Sequence, residues 1–170
     1  MSAIFERRSV RTFLPKPVEP DTIERLLRAA FEAPSAHNRR PWEFIVITDA
    51  ADLNAVAAMS PYAKMLPGAA AAIVVCVNLN MGTAGLADDT WWTQDLSAAT
   101  ENILLQIVEE GLGGVWIGWY PAMDRVKTFA EYFKLPSHIL PFSVVALGYP
   151  VELPKKACRF DPTKVHYGTF

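Results

Sequence analysis

The chain has 170 residues, of which 51% are hydrophobic and 20% are charged, with a net charge of −2 and a pI near 5.9. This length predicts one domain that buries a sizeable core without disulfides or metal ions, and the apolar composition predicts either a large core or a surface buried against a second chain. The acidic balance argues against nucleic acid and anionic membranes as partners, and the two cysteines indicate reduced thiols of a cytoplasmic protein.

The predicted elements alternate between helices and strands along the whole chain. In chain order they are a helix over 2–8, a helix from 21 to about 33, a strand over 42–48, a helix from 49 to about 59, a strand over 69–77, a helix over 93–110, a strand over 115–119, a helix over 124–133 and a strand over 142–148. Alternation of this kind does not distinguish a parallel α/β sheet from an antiparallel α+β sheet.

Local signals set several of these boundaries. Asp21 and Glu24 have the spacing of a capping box, and Asp49 is placed to cap the third helix. The strand over 69–77 is apolar throughout, so we expect it to be buried on both faces. Residues 149–170 contain three prolines and little periodicity, which predicts a tail that wraps around something else, with a partner subunit as the natural candidate.

Three arginines lie within five residues near the start of the chain, at Arg7, Arg8 and Arg11, with Ser9 between them. Positive charge concentrated beside a hydroxyl suits a fixed anion such as a phosphate. The alternative is a solvated face, or a set of cations that complements the C-terminal end of a short helix.

Two further segments have the composition of ligand-contacting loops. Pro34, Ser35 and Ala36 allow close approach to a flat ligand, and Asn38 offers both a donor and an acceptor. Gly118 lies among aromatic residues, where its backbone could approach a ligand or only relieve crowding. The first segment could equally be a polar loop that satisfies its own backbone.

Other chemistries lack the residues they need. The glycines after the long helix do not form a dinucleotide fingerprint, the three histidines have no metal-ligand spacing with the cysteines, and neither a nucleophile elbow nor a phosphate-binding P-loop is present. Asp95 is expected to support the dipole of the long helix from its first turn. The pattern therefore favours a bound cofactor as the source of the chemistry, with no catalytic side chain and no metal.

Taken in order along the chain, these segments resemble the nitroreductase-like flavin oxidoreductases. The resemblance is carried by the arginine cluster, the Pro34–Asn38 segment followed by Pro-Trp, and Gln-Asp at the start of the central helix. It continues through Gly-Leu-Gly with Trp-Ile-Gly, Leu-Gly-Tyr-Pro, and Arg159 in the tail. It implies an α+β sandwich with a mainly antiparallel sheet flanked by helices, one domain over 1–170, and a homodimer whose tails over 149–170 embrace the partner and whose interface holds two FMN molecules.

The resemblance also implies roles for particular residues. The arginine-rich segment would hold the flavin phosphate, ribityl chain and pyrimidine edge, the Pro34–Asn38 segment would reach the flavin from the other subunit, and the 118–119 backbone would lie beside N5 and O4. A basic residue of the tail would close on the phosphate, with Arg159 and Lys156 as alternatives. Some larger relatives touch the pyrimidine edge with an asparagine; Pro61 stands near that place here, so that contact is either lost or supplied by Lys64. The implied cofactor-binding residues are Arg7, Arg8, Ser9, Arg11, Pro34, Ser35, Ala36, Asn38, Lys64, Gly118, Trp119, Lys156 and Arg159.

The implied activity is transfer of hydride from NAD(P)H through FMN to an electron-poor small molecule, such as a nitroaromatic or a quinone, with ping-pong kinetics. Ala36 and Arg40 depart from residues found in many relatives, Gly118 departs from the acidic residue of many larger ones, and the loop over 79–91 is short, so the acceptor is left open. The alternatives are a specialised flavin enzyme, a dehalogenase or a flavin-fragmenting enzyme, and a flavin-binding carrier or sensor without turnover.

Overall fold

A four-stranded antiparallel sheet lies at the centre of the computed structural model, which describes residues 2–81, 90–155 and 158–170. The strands, in the spatial order β1-β2-β4-β3, are β1 (Trp42–Ile47), β2 (Ala71–Asn78), β3 (Gly113–Gly118) and β4 (Ile139–Gly148). The α-helices of the described residues are α1 (Ala3–Glu6), α2 (Pro20–Phe31), α3 (Ala50–Ala58), α4 (Trp91–Glu109) and α5 (Met123–Tyr132). None of these helices has the combined length and apolar character needed to span a bilayer.

The sheet separates two hydrophobic cores. Every strand pair is antiparallel, which confirms the α+β fold implied by the resemblance and resolves the alternative that spacing left open. Alternate residues of β2 enter different cores: Ile73 and Val75 pack with α2 and α4, whereas Val74 and Cys76 pack with α3 and α5. The expectation that this strand is buried on both faces is therefore confirmed. Burial raises the pKa of the Cys76 thiol to about 12.

The long helix α4 begins two residues earlier than the sequence predicts and ends at a glycine. Gly111 has a φ of 69°, and the amide of Leu112 donates to the carbonyl of Ile107 at 2.9 Å. This is the hydrogen-bond pattern of a Schellman motif, which requires the left-handed conformation that glycine adopts without strain. Gly113 and Gly114 belong to β3, so the strand begins two residues before the predicted boundary.

The capping predictions have opposite outcomes. The Asp49 carboxylate accepts from the amides of Ala51 and Asp52, which confirms the cap of α3. The capping box predicted for α2 is wrong. Pro20 occupies the first turn after Glu19, whose side chain makes no capping hydrogen bond, and Glu24 pairs instead with Arg28. The proline ring fixes φ near the helical value, and a residue in the first turn needs no hydrogen-bond partner for its amide. The helix therefore starts at Pro20, one residue before the predicted boundary.

A bidentate ion pair joins α2 to the end of α4. The Arg25 guanidinium donates to both carboxylate oxygens of Glu110 at 2.8 Å, and these hydrogen bonds lower the pKa of Glu110. Because the pKa of Glu110 is lowered in the folded state, the ion pair stabilises the fold at pH values above the ordinary glutamate pKa of about 4.3. This stabilisation is lost as the pH falls through the lowered pKa.

Candidate functional site

The arginine-rich segment lies along the outer edge of β3. Ser9 forms a parallel bridge with Gly114, whose carbonyl accepts from the amide of Val10 at 3.0 Å. The Val10 side chain is buried directly over Gly113, where a Cβ would come within 2.8 Å of it. Glycine is therefore required at 113 for this approach. Because Val10 points inward, Ser9 and Arg11 on either side of it are exposed.

A cleft of about 620 Å³ opens beside the same edge. Arg11, Lys64 and Arg125 line it, and none of the described residues that line it is acidic. The guanidinium of Arg125 lies 5.1 Å from the centre of the Tyr62 ring, which is a cation–π distance. The remaining lining residues are Pro61, Met65, Val115, Trp116, Ile117 and Gly118. Cationic groups combined with apolar and aromatic surface suit a flat, anionic ligand.

The backbone of Gly118 faces this cleft. Each residue of a strand directs its N–H and its C=O to the same edge, and successive residues alternate between the two edges. The Gly114 carbonyl accepts from Val10, so Gly114 directs both groups to the outer edge of β3. Gly118 is in phase with Gly114, so its N–H also faces outward. The amide of Trp119 is out of phase and donates inward to the carbonyl of Phe142 at 3.0 Å.

Gly118 has space around it that the described residues do not fill. Apart from its two chain neighbours, no described atom lies within 4 Å of the position that a Cβ would occupy. Trp116 and Tyr120 are therefore too distant for the glycine to be relieving crowding between them. Trp119, by contrast, is fully buried, and its indole N–H donates to the carbonyl of Arg125 at 3.0 Å. Of the two adjacent residues predicted to contact the flavin, only Gly118 presents its N–H to the cleft.

The other cations of the cluster line a separate cavity of about 320 Å³. Arg7 and Arg8 meet Arg159 of the tail there, together with Cys158 and Phe160. The structure thus brings the predicted phosphate-contacting arginines together. Lys156, the alternative tail cation, lies outside the described residues.

Both arginines at the start of the cluster already have partners within the chain. Arg7 Nε lies 3.2 Å from a carboxylate oxygen of Glu101 on α4, and Arg8 donates to the backbone carbonyls of Phe5 and Arg7. The side chains of Arg7 and Arg8 are half-buried. The two side chains are therefore not part of a fully solvated face. Their contacts within the chain form without a bound ligand.

The segment 34–40 lies on neither cavity. Its turn, Ala36–Asn38, places His37 and Asn38 at a φ of 54°, and Arg40 follows at 53°. The backbone amide of Arg40 donates to Ser35 Oγ at 3.0 Å, and the side-chain Nε of Arg40 donates to Asn38 Oδ1 at 2.9 Å. Pro34, Ser35, Ala36 and Asn38 are therefore not joined to the cleft of their own chain.

Two residues at the cleft carried no recognisable sequence signal for this role. Tyr62 and Arg125 are far apart in the chain and meet only at the cleft.

Asp95 was expected in the first turn of the long helix, but it is the fifth residue of α4, is buried, and accepts from the amide of Ala36 at 2.9 Å. The earlier start at Trp91 moves Asp95 out of the first turn, so the helix-dipole role predicted for it is wrong.

Comparison with known proteins gives a consistent result over almost the whole chain. A family model described as "Nitroreductase family" matches residues 4–76 and 57–149. A protein of Archaeoglobus fulgidus, provisionally named an NADH dehydrogenase/NAD(P)H nitroreductase, is 40% identical over 169 residues, which cover 98% of this chain and 95% of the relative.

Solved structures agree with that match. A protein of Clostridium acetobutylicum, provisionally named an NADH oxidase, is 41% identical, with a TM-score of 0.93 over 99% of this chain and 100% of the other. A structure titled FMN-dependent nitroreductase, from Clostridium difficile R20291, is 30% identical, with a TM-score of 0.90 over 99% of each chain.

Proposed function

The chain belongs to the nitroreductase family, and on this premise we propose that it is an FMN-dependent NAD(P)H oxidoreductase. The observation that carries the proposal is the cationic cleft at the edge of β3, where Arg11, Lys64 and the outward N–H of Gly118 converge. The relative of Archaeoglobus fulgidus and the FMN-dependent nitroreductase structure support the same assignment.

The residues present fit FMN. Arg11 and Lys64 would supply positive charge for the pyrimidine edge, Gly118 would supply a backbone donor, and Arg7 with Arg159 would supply cations for a phosphate. The space beside Gly118, which no described side chain fills, supports a ligand that approaches the backbone closely. The chemistry that bound FMN would supply is acceptance of hydride from NAD(P)H and release of electrons to an acceptor.

The proposal extends to the order of reaction. NAD(P)H and the acceptor would use the same exposed flavin face in turn, which gives ping-pong kinetics, and the acceptor would be an electron-poor small molecule such as a nitroaromatic or a quinone. The site would be shared in a homodimer, because Pro34, Ser35, Ala36 and Asn38 do not reach the cleft of their own chain.

The first test uses the visible spectrum of the purified protein. We expect a yellow protein with bound FMN that bleaches anaerobically with NADH or NADPH and regains its colour when a quinone or nitroaromatic is added. A yellow protein that neither nicotinamide bleaches would indicate a carrier or sensor. A colourless protein that FMN cannot reconstitute would refute the proposed function.

A second prediction concerns the amide of Gly118. Gly118→Pro removes the N–H that faces the cleft but leaves the ladder to β4 intact, because proline is tolerated on the outer side of an edge strand. We expect the rate of anaerobic flavin reduction by NADH to fall about tenfold, as the loss of one hydrogen bond predicts.

Gly118→Ala is the matched control for that substitution. It keeps the N–H, and the added Cβ meets no described atom within 4 Å beyond the chain neighbours, so the fold should be preserved. An equal loss of rate in both variants would show that the amide itself is not the group that matters.

A further inference from the structure

Asp95 is an acidic residue placed where core packing alone would not put one. It is 8% exposed, and the adjacent Leu96 and the nearby Ala99 on α4 are fully buried. A carboxylate in such surroundings is costly unless hydrogen bonds compensate it. Its Oδ1 accepts from the amide of Ala36 at 2.9 Å, a contact between residues 59 apart in the chain. The side chain thus connects the core helix to the segment 34–40.

That segment has a backbone that needs support. His37, Asn38 and Arg40 all have a φ between 53° and 54°, the left-handed region that residues with a Cβ seldom adopt. Such conformations persist only where the surrounding structure holds them in place. Asp95 holds the turn from the protein interior through Ala36, at the residue directly before the first left-handed position.

A second set of contacts fixes the outer side of the turn. The Arg40 amide binds Ser35 Oγ, and the Arg40 guanidinium binds Asn38 Oδ1. With Oδ1 accepting from Arg40, the Asn38 amide group is held in place, and its Nδ2 amino group can donate to a ligand. The turn therefore has its side chains oriented by contacts within the chain.

We propose that Asp95 is a positioning residue, which holds the Ala36 amide and thereby presents Ser35 and Asn38 to the flavin site in a fixed conformation. This inference rests on the proposed function, since the ligand it invokes is FMN. Asp95 is not among the described residues that line the cleft. The effect of Asp95 would pass through the backbone at Ala36. It would change the affinity of the protein for the flavin and the environment of the bound flavin.

The experiment compares two substitutions at this position. Asp95→Leu keeps the size of the side chain but removes the acceptor, whereas Asp95→Asn keeps an oxygen that can accept from the Ala36 amide. FMN is titrated into the flavin-free dimers, with flavin fluorescence and visible circular dichroism as readouts. We expect Asp95→Leu to raise the Kd for FMN by roughly 10- to 100-fold and to change the dichroism of the bound flavin. Asp95→Asn should restore both toward the wild type.

Ala36→Pro tests the same hydrogen bond from the other side. It removes the donor without touching the carboxylate, and Ser35 has a φ of −143° and a ψ of 150°, which is compatible with a following proline. It should weaken FMN binding as Asp95→Leu does, and it provides the test if Asp95→Leu does not fold.

The outcomes separate this inference from the proposed function. Asp95→Leu and Ala36→Pro proteins that melt at a lower temperature, but bind FMN with unchanged Kd and dichroism, would show that the bond serves stability only and would overturn the inference. A wild-type protein that binds no FMN would instead refute the proposed function.

Discussion

Truncation of the chain before Pro150 should abolish dimerisation and FMN binding together. The tail is hydrogen-bonded to its own chain at its start, where the amide of Leu14 donates to the Tyr149 carbonyl and that of Val151 donates to the Thr12 carbonyl, and again where Arg8 donates to the Lys155 carbonyl. Beyond Val151 large apolar side chains are exposed in the single chain, including Leu153 at 70% and Phe160 at 75%. Exposed apolar surface of this kind is typical of an interface.

The physical reason for a joint loss is that the proposed site is divided between two chains. Arg11, Lys64 and Gly118 line the cleft of one chain, whereas Ser35 and Asn38 lie away from it. If binding needs both sets, FMN affinity and dimerisation are thermodynamically linked. We expect the tail to contribute to an interface well above the roughly 2,000 Å² at which obligate interfaces begin.

Sedimentation of the truncated protein, with flavin absorbance recorded in the same run, measures both losses. Arg159→Ala is the matched control, because it keeps the tail but removes a cation from the cavity that contains Arg7 and Arg8. It should remain a dimer and bind FMN more weakly. A truncated monomer that retains stoichiometric FMN would contradict the divided site.

Arg7→Ala should weaken FMN binding by roughly 2–4 kcal/mol, the loss expected for a charge-assisted contact to a buried phosphate or ribityl oxygen. Arg7 meets Arg8 and Arg159 at the same cavity, so the cations lie where an anionic group would bind. Equilibrium titration of the flavin-free protein with FMN gives the affinity directly.

The contact between Arg7 and Glu101 supplies the control for this prediction. Their side chains are 21% and 47% exposed, and the pair connects the end of α1 to α4. Glu101→Gln breaks the ion pair but keeps the arginine, so it should leave FMN affinity unchanged or slightly stronger. Unchanged FMN affinity in a folded Arg7→Ala protein would assign Arg7 to a structural role on α4.

Local signals predicted most of the elements because their causes are local. The apolar run in β2, the Asp49 cap and the glycine after α4 each act within a few residues, and the structure has each of them. The start of α2 was predicted incorrectly because two local signals competed, and Pro20 prevailed over the Asp21–Glu24 spacing. The direction of strand pairing is not local, and the residues alone left it open.

The candidate site divides in the same way. The sequence by itself determined the family, the cationic segment at Arg7–Arg11 and the glycine at 118, because these are patterns of adjacent residues. Only the tertiary structure decided that Gly118, and not Trp119, turns its amide to the cleft, because the phase of β3 against β4 sets that direction.

Tertiary structure also decided which distant residues meet. Tyr62 and Arg125 come together at the cleft, and Asp95 reaches the amide of Ala36 across 59 residues. No local propensity encodes such contacts, since they arise when helices pack on the sheet and bury particular faces. The sequence alone therefore determined the family and the chemical character of the site, and the packing of α4, α5 and β3 determined which side chains form it.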